Sequence, residues 1–411
     1  MNSELSPSAV VGSGNTTYID PWQEYKSISS RLKKRFLRKP NLAEASRAFG
    51  ALSNKLAPPA ASGAGISTYG DDPTAIYHYA GFAQLALARC EHTLGNVCGE
   101  AGGLREAGRC FLAARWASGG ASGARACLAE HTSCAAHCYG HAIRVHLEHN
   151  ETVLAGELCL EFGRHLMELE AAEGHGQSRP GDNTDIGANG EAFGQFQRAA
   201  RLLRAVPAGR IDAYRWMLLI SVQAGRYQHA LRLLSELKAI VESLLGTGVG
   251  MGYDTTTSCD EQSDKVVMGC SLYHQMLEEL EITIVLILLK LRLLPKQMKP
   301  EHSRLLSRYT DRQSTALCGS VTDSSENVTD RGAVIAASAL PETDIRCHPE
   351  LRFYLHSFCI AITEHDDVLA DDALRRMWSL LNSVQQTVAL ALIDGAMVGS
   401  SDDELWLMCD I

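Results

Sequence analysis

Apolar positions recur at helical spacing along most of this chain. Six segments share a finer pattern, in which a small residue is followed by apolar residues four and seven positions later. They are Ala45, Phe49, Leu52; Ala107, Phe111, Ala114; Ala155, Cys159, Phe162; Ala192, Phe196, Ala199; Ala230, Leu234, Leu237; and Ala370, Leu374, Met377. Positions i, i+4 and i+7 lie on one helix face. The small residue lets a neighbouring helix come close, and the larger residue one turn on fills the space beside it.

That pattern is the second-helix signature of a tetratricopeptide unit, a helix-turn-helix of about 34 residues. The fullest copy spans 214–242, where Gly225, Tyr227 and Ala230 form a Gly-x-Tyr-x-x-Ala turn between two helices. Gly225 suits a helix end, where a left-handed backbone costs glycine little. No copy shows the whole consensus, and any amphipathic helix repeats at this spacing, so an irregular helical bundle is the alternative. Ala and Leu prevail where apolar residues cluster and β-branched runs are rare, which favours helix over sheet. The expected fold is all-α, with tetratricopeptide-like hairpins stacked into a superhelix.

Between the helical stretches the pattern breaks. Residues near 58–73, 174–190, 246–264 and 311–344 are rich in Gly, Ser, Thr, Asp or Pro and read as disordered loops. The expected organisation is a tail over 1–20, a single helical domain over 21–395 and a disordered acidic tail over 396–411. One helix start is marked: Pro40 stops the preceding basic segment, and Asn41 caps the next helix with Glu44 as its reciprocal partner.

The longest apolar run, Ile282 to Leu289, is flanked by Glu278, Glu279, Glu281, Lys290 and Arg292. A membrane-spanning helix needs about 20 mainly apolar residues, so this run reads as a helix buried on all sides. The net charge of −10, from 38 Lys and Arg against 48 Asp and Glu, argues against broad nucleic-acid binding. Thirteen cysteines without a framework, and a polar N-terminus without a signal-peptide core, point to the cytosol or nucleus.

Candidate chemistry is sparse. His131, Cys134, His137, Cys138 and His141 crowd one segment, but ligands from one straight helix do not surround a zinc ion. Packed thiols with partly exposed imidazoles are the expectation, with no cofactor. No Gly-rich phosphate loop, H-E-x-x-H or G-x-S-x-G motif occurs, so a non-catalytic role is expected. Two charged clusters are candidate partner contacts. Arg31, Lys33, Lys34, Arg35, Arg38 and Lys39 form a basic run beside the apolar stripe Tyr25, Ile28, Leu32 and Phe36. It reads as an import signal, a docking face or a solvated helix face. Asp366, Asp367, Asp371 and Asp372 cluster around a helix at 368–381, as caps or as an acidic patch for a basic partner.

The segment Arg31-Leu32-Lys33-Lys34-Arg35-Phe36-Leu37-Arg38-Lys39-Pro40-Asn41-Leu42-Ala43-Glu44-Ala45 resembles the N-terminal region of the forty-kilodalton huntingtin-associated protein family, also called factor VIII intron 22 proteins. Weaker matches follow in order at Gln84-Leu85-Ala86-Leu87-Ala88-Arg89-Cys90, Arg144-Val145-His146-Leu147-Glu148 and Phe196-Gln197-Arg198-Ala199-Ala200. The resemblance implies a tetratricopeptide-like, non-enzymatic protein that binds huntingtin, held between that protein's arrays of HEAT repeats in a one-to-one complex. It also implies a link to early endosomes through a Rab-type small GTPase. The expected location is cytoplasmic, with early-endosome association and a nuclear pool. The other reading is a free-standing tetratricopeptide adaptor for short peptides.

Overall fold

Asp20 opens the first helix: its side chain accepts from the Trp22 amide, and Pro21 occupies the first helical position, where a missing N–H costs nothing. In this computed structural model the described residues are 20–33, 40–56, 72–118, 125–173, 188–249, 260–293, 296–310 and 349–402. Among them regular structure is helical and no strand occurs. The α-helices are α1 Pro21–Arg31, α2 Leu42–Leu56, α3 Pro73–Leu94, α4 Val97–Ser118, α5 Arg125–Glu148, α6 Thr152–Glu173 and α7 Ala188–Leu202. They continue with α8 Pro207–Gln223, α9 Tyr227–Val249, α10 Asp260–Leu291, α11 Pro300–Thr310, α12 Pro349–Glu364, α13 Asp367–Met377 and α14 Ser383–Asp402.

Most of the residues expected to form loops and tails lie outside the described residues. At their edges α7 begins at Ala188, α9 runs to Val249, α10 begins at Asp260 and α14 runs to Asp402. The described residues group into two compact units, Met1–Arg210 and Ile211–Ile411.

In the first unit each helix from α1 to α7 packs against the next in the chain. Every residue of the four small-then-large triads here is buried: those of α2, α4, α6 and α7. Close approach explains the glycines. A Cβ on Gly163 of α6 would lie 2.8 Å from the ring of Phe196 on α7, and one on Gly108 of α4 would lie 2.8 Å from Tyr139 on α5. The triads do not keep strict alternation, because α6 and α7 are consecutive and both carry one. Helix starts follow the expected chemistry. The Glu44 amide donates to Asn41 Oδ1, and the Asn41 side-chain amide returns a bond to Glu44 Oε2.

In the second unit α8 and α9 meet through the Gly225 turn. Gly225 has φ of 66°, its amide reaches Val222 O, and the Arg226 amide reaches Ser221 O. That pair of bonds closes α8 in the manner of a Schellman motif. Tyr214 of α8 then donates to Glu236 of α9 at 2.8 Å. The apolar run of α10 is buried on every side, from Ile282 through Leu289. α10 packs against α9, α11, α12 and α14. Gln385 of α14 bonds across to Glu279 O and Thr283 Oγ1 of α10. No helix among the described residues is long and apolar enough to cross a membrane.

Candidate partner-binding surfaces

The four aspartates near α13 have separate structural jobs. Asp366 is the N-cap, accepting from the Leu369 amide at 3.0 Å, and Asp367 is the first helical residue. Both favour the positive end of the helix dipole. Asp371 pairs with Arg375 at 2.6 Å and Asp372 with Arg376 at 2.9 Å, each four residues on. The acidic cluster is thus half-neutralised by its own helix. All four arginine and aspartate side chains of these pairs are exposed, and Val368 beside them is 82% exposed.

Of the basic run, Arg31 and Lys33 are described and exposed, while Lys34, Arg35, Arg38 and Lys39 lie outside the described residues. α1 closes at Arg31, with Leu32 as its cap, and Phe36 is outside the described residues as well. Arg31 stands 3.7 Å from Glu44 of α2, a solvent-exposed pair of small energetic weight.

The His- and Cys-rich segment lies on α5 and is dispersed around it. Cys138 is buried, and burial lifts its thiol to about 12. Cys134 is exposed. His131 packs its ring 4.3 Å from that of His78 on α3. His137 donates to Ser133 O on its own helix, and His141 turns to Glu100 of α4 at 3.8 Å. Among the described residues no group of three or more His, Cys, Asp or Glu is placed to hold a metal.

Sequence patterns did not point to the most developed polar site, which joins α4, α5 and α6. Glu161 of α6 accepts from Arg109 Nε at 2.7 Å, from Arg105 Nε at 2.8 Å and from the Tyr139 hydroxyl at 2.7 Å. Arg109 also pairs with Glu106 at 2.8 Å. Burial alone would raise the pKa of the Glu161 carboxyl, but the bonds from Arg109, Arg105 and Tyr139 outweigh it and hold that pKa at about 2. Tyr139 is pushed the other way by burial and by the adjoining Glu161 charge. Of these, Arg105, Arg109 and Glu161 line a groove of about 580 Å³ between α4 and α6. Ala101, Gly102, Leu154 and Leu158 line its apolar part, and Arg164 faces it beyond Glu161.

A second concavity, of about 430 Å³, lies within the second unit. Its floor is apolar, from Leu218, Leu237, Met276 and Leu280, and the Arg215–Glu279 pair at 3.2 Å lines it as well.

No protein-family model matches the chain. It is similar to the 40-kDa huntingtin-associated protein of Rattus norvegicus, with 28% identity over 391 residues that cover 88% of each chain. It is equally similar to the 40-kDa huntingtin-associated protein of Mus musculus, with 28% identity over 393 residues and the same coverage. The resemblance first carried by residues 31–45 therefore extends along most of the sequence, and this chain is similar to the forty-kilodalton huntingtin-associated proteins over 88% of its length.

Proposed function

We propose that this protein is a non-catalytic adaptor that binds a huntingtin-type HEAT-repeat scaffold in a one-to-one complex and stabilises its closed shape. The observation that carries this reading is similarity along 88% of both chains to proteins named for their association with huntingtin. The surface is compatible with a large interface. Within the second unit Phe353, Val368, Leu369, Trp378, Leu380 and Leu390 are exposed large apolar residues. Isolated exposed leucines are ordinary, but aromatic residues such as Trp378 and Phe353 are favoured anchors in protein interfaces. Mutual stabilisation then follows from mass action, because a partner that binds only the folded chain withdraws it from the unfolded pool.

Within the same proposal, the complex connects to early endosomes through a Rab-type small GTPase and works in the cytoplasm, with a nuclear pool. The central test is expression of the chain alone and together with huntingtin from the same organism, followed by size-exclusion chromatography. A stable one-to-one peak, with aggregation or degradation of the chain alone, is the expected result. A stable monomer that does not co-elute at low salt overturns the reading.

A further inference from the structure

We propose that the groove between α4 and α6 is a binding site for an acidic polypeptide segment that carries an aliphatic residue beside its carboxylates. The helices that form it are alternate members of the stack, and α5 contributes His146 to its lining. Its volume of about 580 Å³ falls in the range of sites that hold ligands. The α4 wall presents Cys98, Ala101, Gly102, Arg105 and Arg109, which recur at steps of three and four and therefore share one face.

Charge in the groove is unevenly matched. Arg105 and Arg109 share the single carboxylate of Glu161, and both keep about two-fifths of their side chains exposed, at 40% and 39%. Arg109 has Glu106 as a further partner, whereas Arg105 turns to Glu161. Arg164 adds a third guanidinium, and its Nε is buried with no hydrogen-bond partner among the described residues. An incoming carboxylate would meet the part of this guanidinium that lines the groove and give it a charge-assisted bond. The remaining carboxylate of the wall, Glu157, lies close to Gly209. His146 is engaged by Glu151 at 2.6 Å.

The apolar half of the groove selects the class of ligand. Leu154 is 46% exposed and Leu158 is buried behind it, while Ala101 and Gly102 leave the facing wall low. A Cβ on Gly102 would meet nothing within 4 Å, so there is open space above this wall. An inorganic anion has no use for that surface. A peptide that places a leucine-sized side chain against Leu154 and a carboxylate among Arg105 and Arg164 uses both halves. This site is separate from the huntingtin reading and does not rest on it.

The test is a fluorescence-anisotropy titration of the full chain with a labelled peptide of alternating leucine and glutamate. A matched peptide with glutamine at each glutamate is the control. The acidic peptide is expected to bind at least tenfold more tightly, and its affinity should fall as salt rises. Arg164→Gln should weaken it about tenfold. Gly102→Glu places a carboxylate three residues before Arg105 and should abolish binding, whereas Gly102→Lys should strengthen it severalfold. Both Gly102 variants replace glycine by a better helix former in open space, so circular dichroism should show an intact fold. Equal binding of the two peptides, no saturable binding, or indifference to Arg164→Gln and both Gly102 changes overturns the proposal. Full displacement by millimolar inorganic phosphate also overturns it, because the apolar half would then contribute nothing.

Discussion

Arg109 on α4 donates from Nε to Oε1 of Glu161 on α6 across 2.7 Å, so two helices that are not neighbours in sequence share one half-buried charge. The Tyr139 hydroxyl from the intervening α5 reaches the same oxygen at 2.7 Å. One carboxylate therefore fastens three consecutive helices of the first unit. Glu161→Gln would keep the shape but leave Arg105 without its counter-charge and Arg109 with Glu106 alone. Breaking one partner of such a network costs more than the pair is worth relative to an apolar core. The expected loss is about 2–4 kcal/mol, read as a lower urea midpoint for helix unfolding at pH 7.

Acid should have the same effect on the natural chain. The pKa of the Glu161 carboxyl is held at about 2 in the folded protein, below its ordinary value of 4.5. Because the folded value is depressed, the contribution to stability is complete above about pH 5 and is lost as pH falls through 4.5 toward 2. A tenfold change in proton affinity corresponds to ~1.4 kcal/mol, so the contribution is on the order of 3 kcal/mol. Urea midpoints measured between pH 7 and pH 2.5 should fall less steeply for Glu161→Gln than for the natural sequence. Parallel curves for the two proteins would show that Glu161 is not the group responsible.

Glycines on the same helices should respond in opposite directions to one added methyl. Gly163 is buried, and its Cβ would lie 2.8 Å from Phe196, itself fully buried. Gly163→Ala gains up to ~1 kcal/mol of helix propensity but forces the Phe196 ring aside, at a cost of about 1–3 kcal/mol. Net destabilisation is expected. Gly194 on α7 is exposed, and a Cβ there meets nothing within 4 Å. Gly194→Ala should therefore raise the melting temperature slightly. Thermal melts of the two variants side by side test whether α6 and α7 approach as closely as the structure has them.

These contrasts show what a single sequence makes legible. The triads of α2, α4 and α9 could be read because each is a local pattern on one helix, and burial of Phe49, Phe111 and Leu234 follows from it. The buried character of 282–289 was legible for the same reason, as was the Asn41–Glu44 cap. The Glu161 site was not. Arg105, Arg109, Tyr139 and Glu161 span 56 residues without a motif, and they meet only because α4, α5 and α6 turn particular faces together. The pairing of Asp371 with Arg375 and of Asp372 with Arg376 lies within reach of the (i, i+4) rule, whereas the aspartates alone read as caps or as an acidic patch.

The division of labour on α13 separates folding from recognition. Asp366→Ala removes the cap on the Leu369 amide and should cost about 1 kcal/mol, seen as a lower melting temperature, with partner affinity changed only through stability. Asp371 and Asp372 are different, because their pairs with Arg375 and Arg376 are exposed and screened by solvent, so they contribute little to stability. Changing both to Asn leaves the helix largely intact and removes two negative charges from this face, while Arg376 keeps its bond to Tyr354. If this face meets a basic surface of a huntingtin-type scaffold, the double variant should dissociate faster and lose part of its salt dependence. Dissociation measured at about 50 mM and about 300 mM salt, on either side of physiological screening, separates the two roles when read beside thermal melts of both variants. Unchanged kinetics at both salt concentrations would leave Asp371 and Asp372 as supports of α13 alone and move the partner contact elsewhere on the second unit.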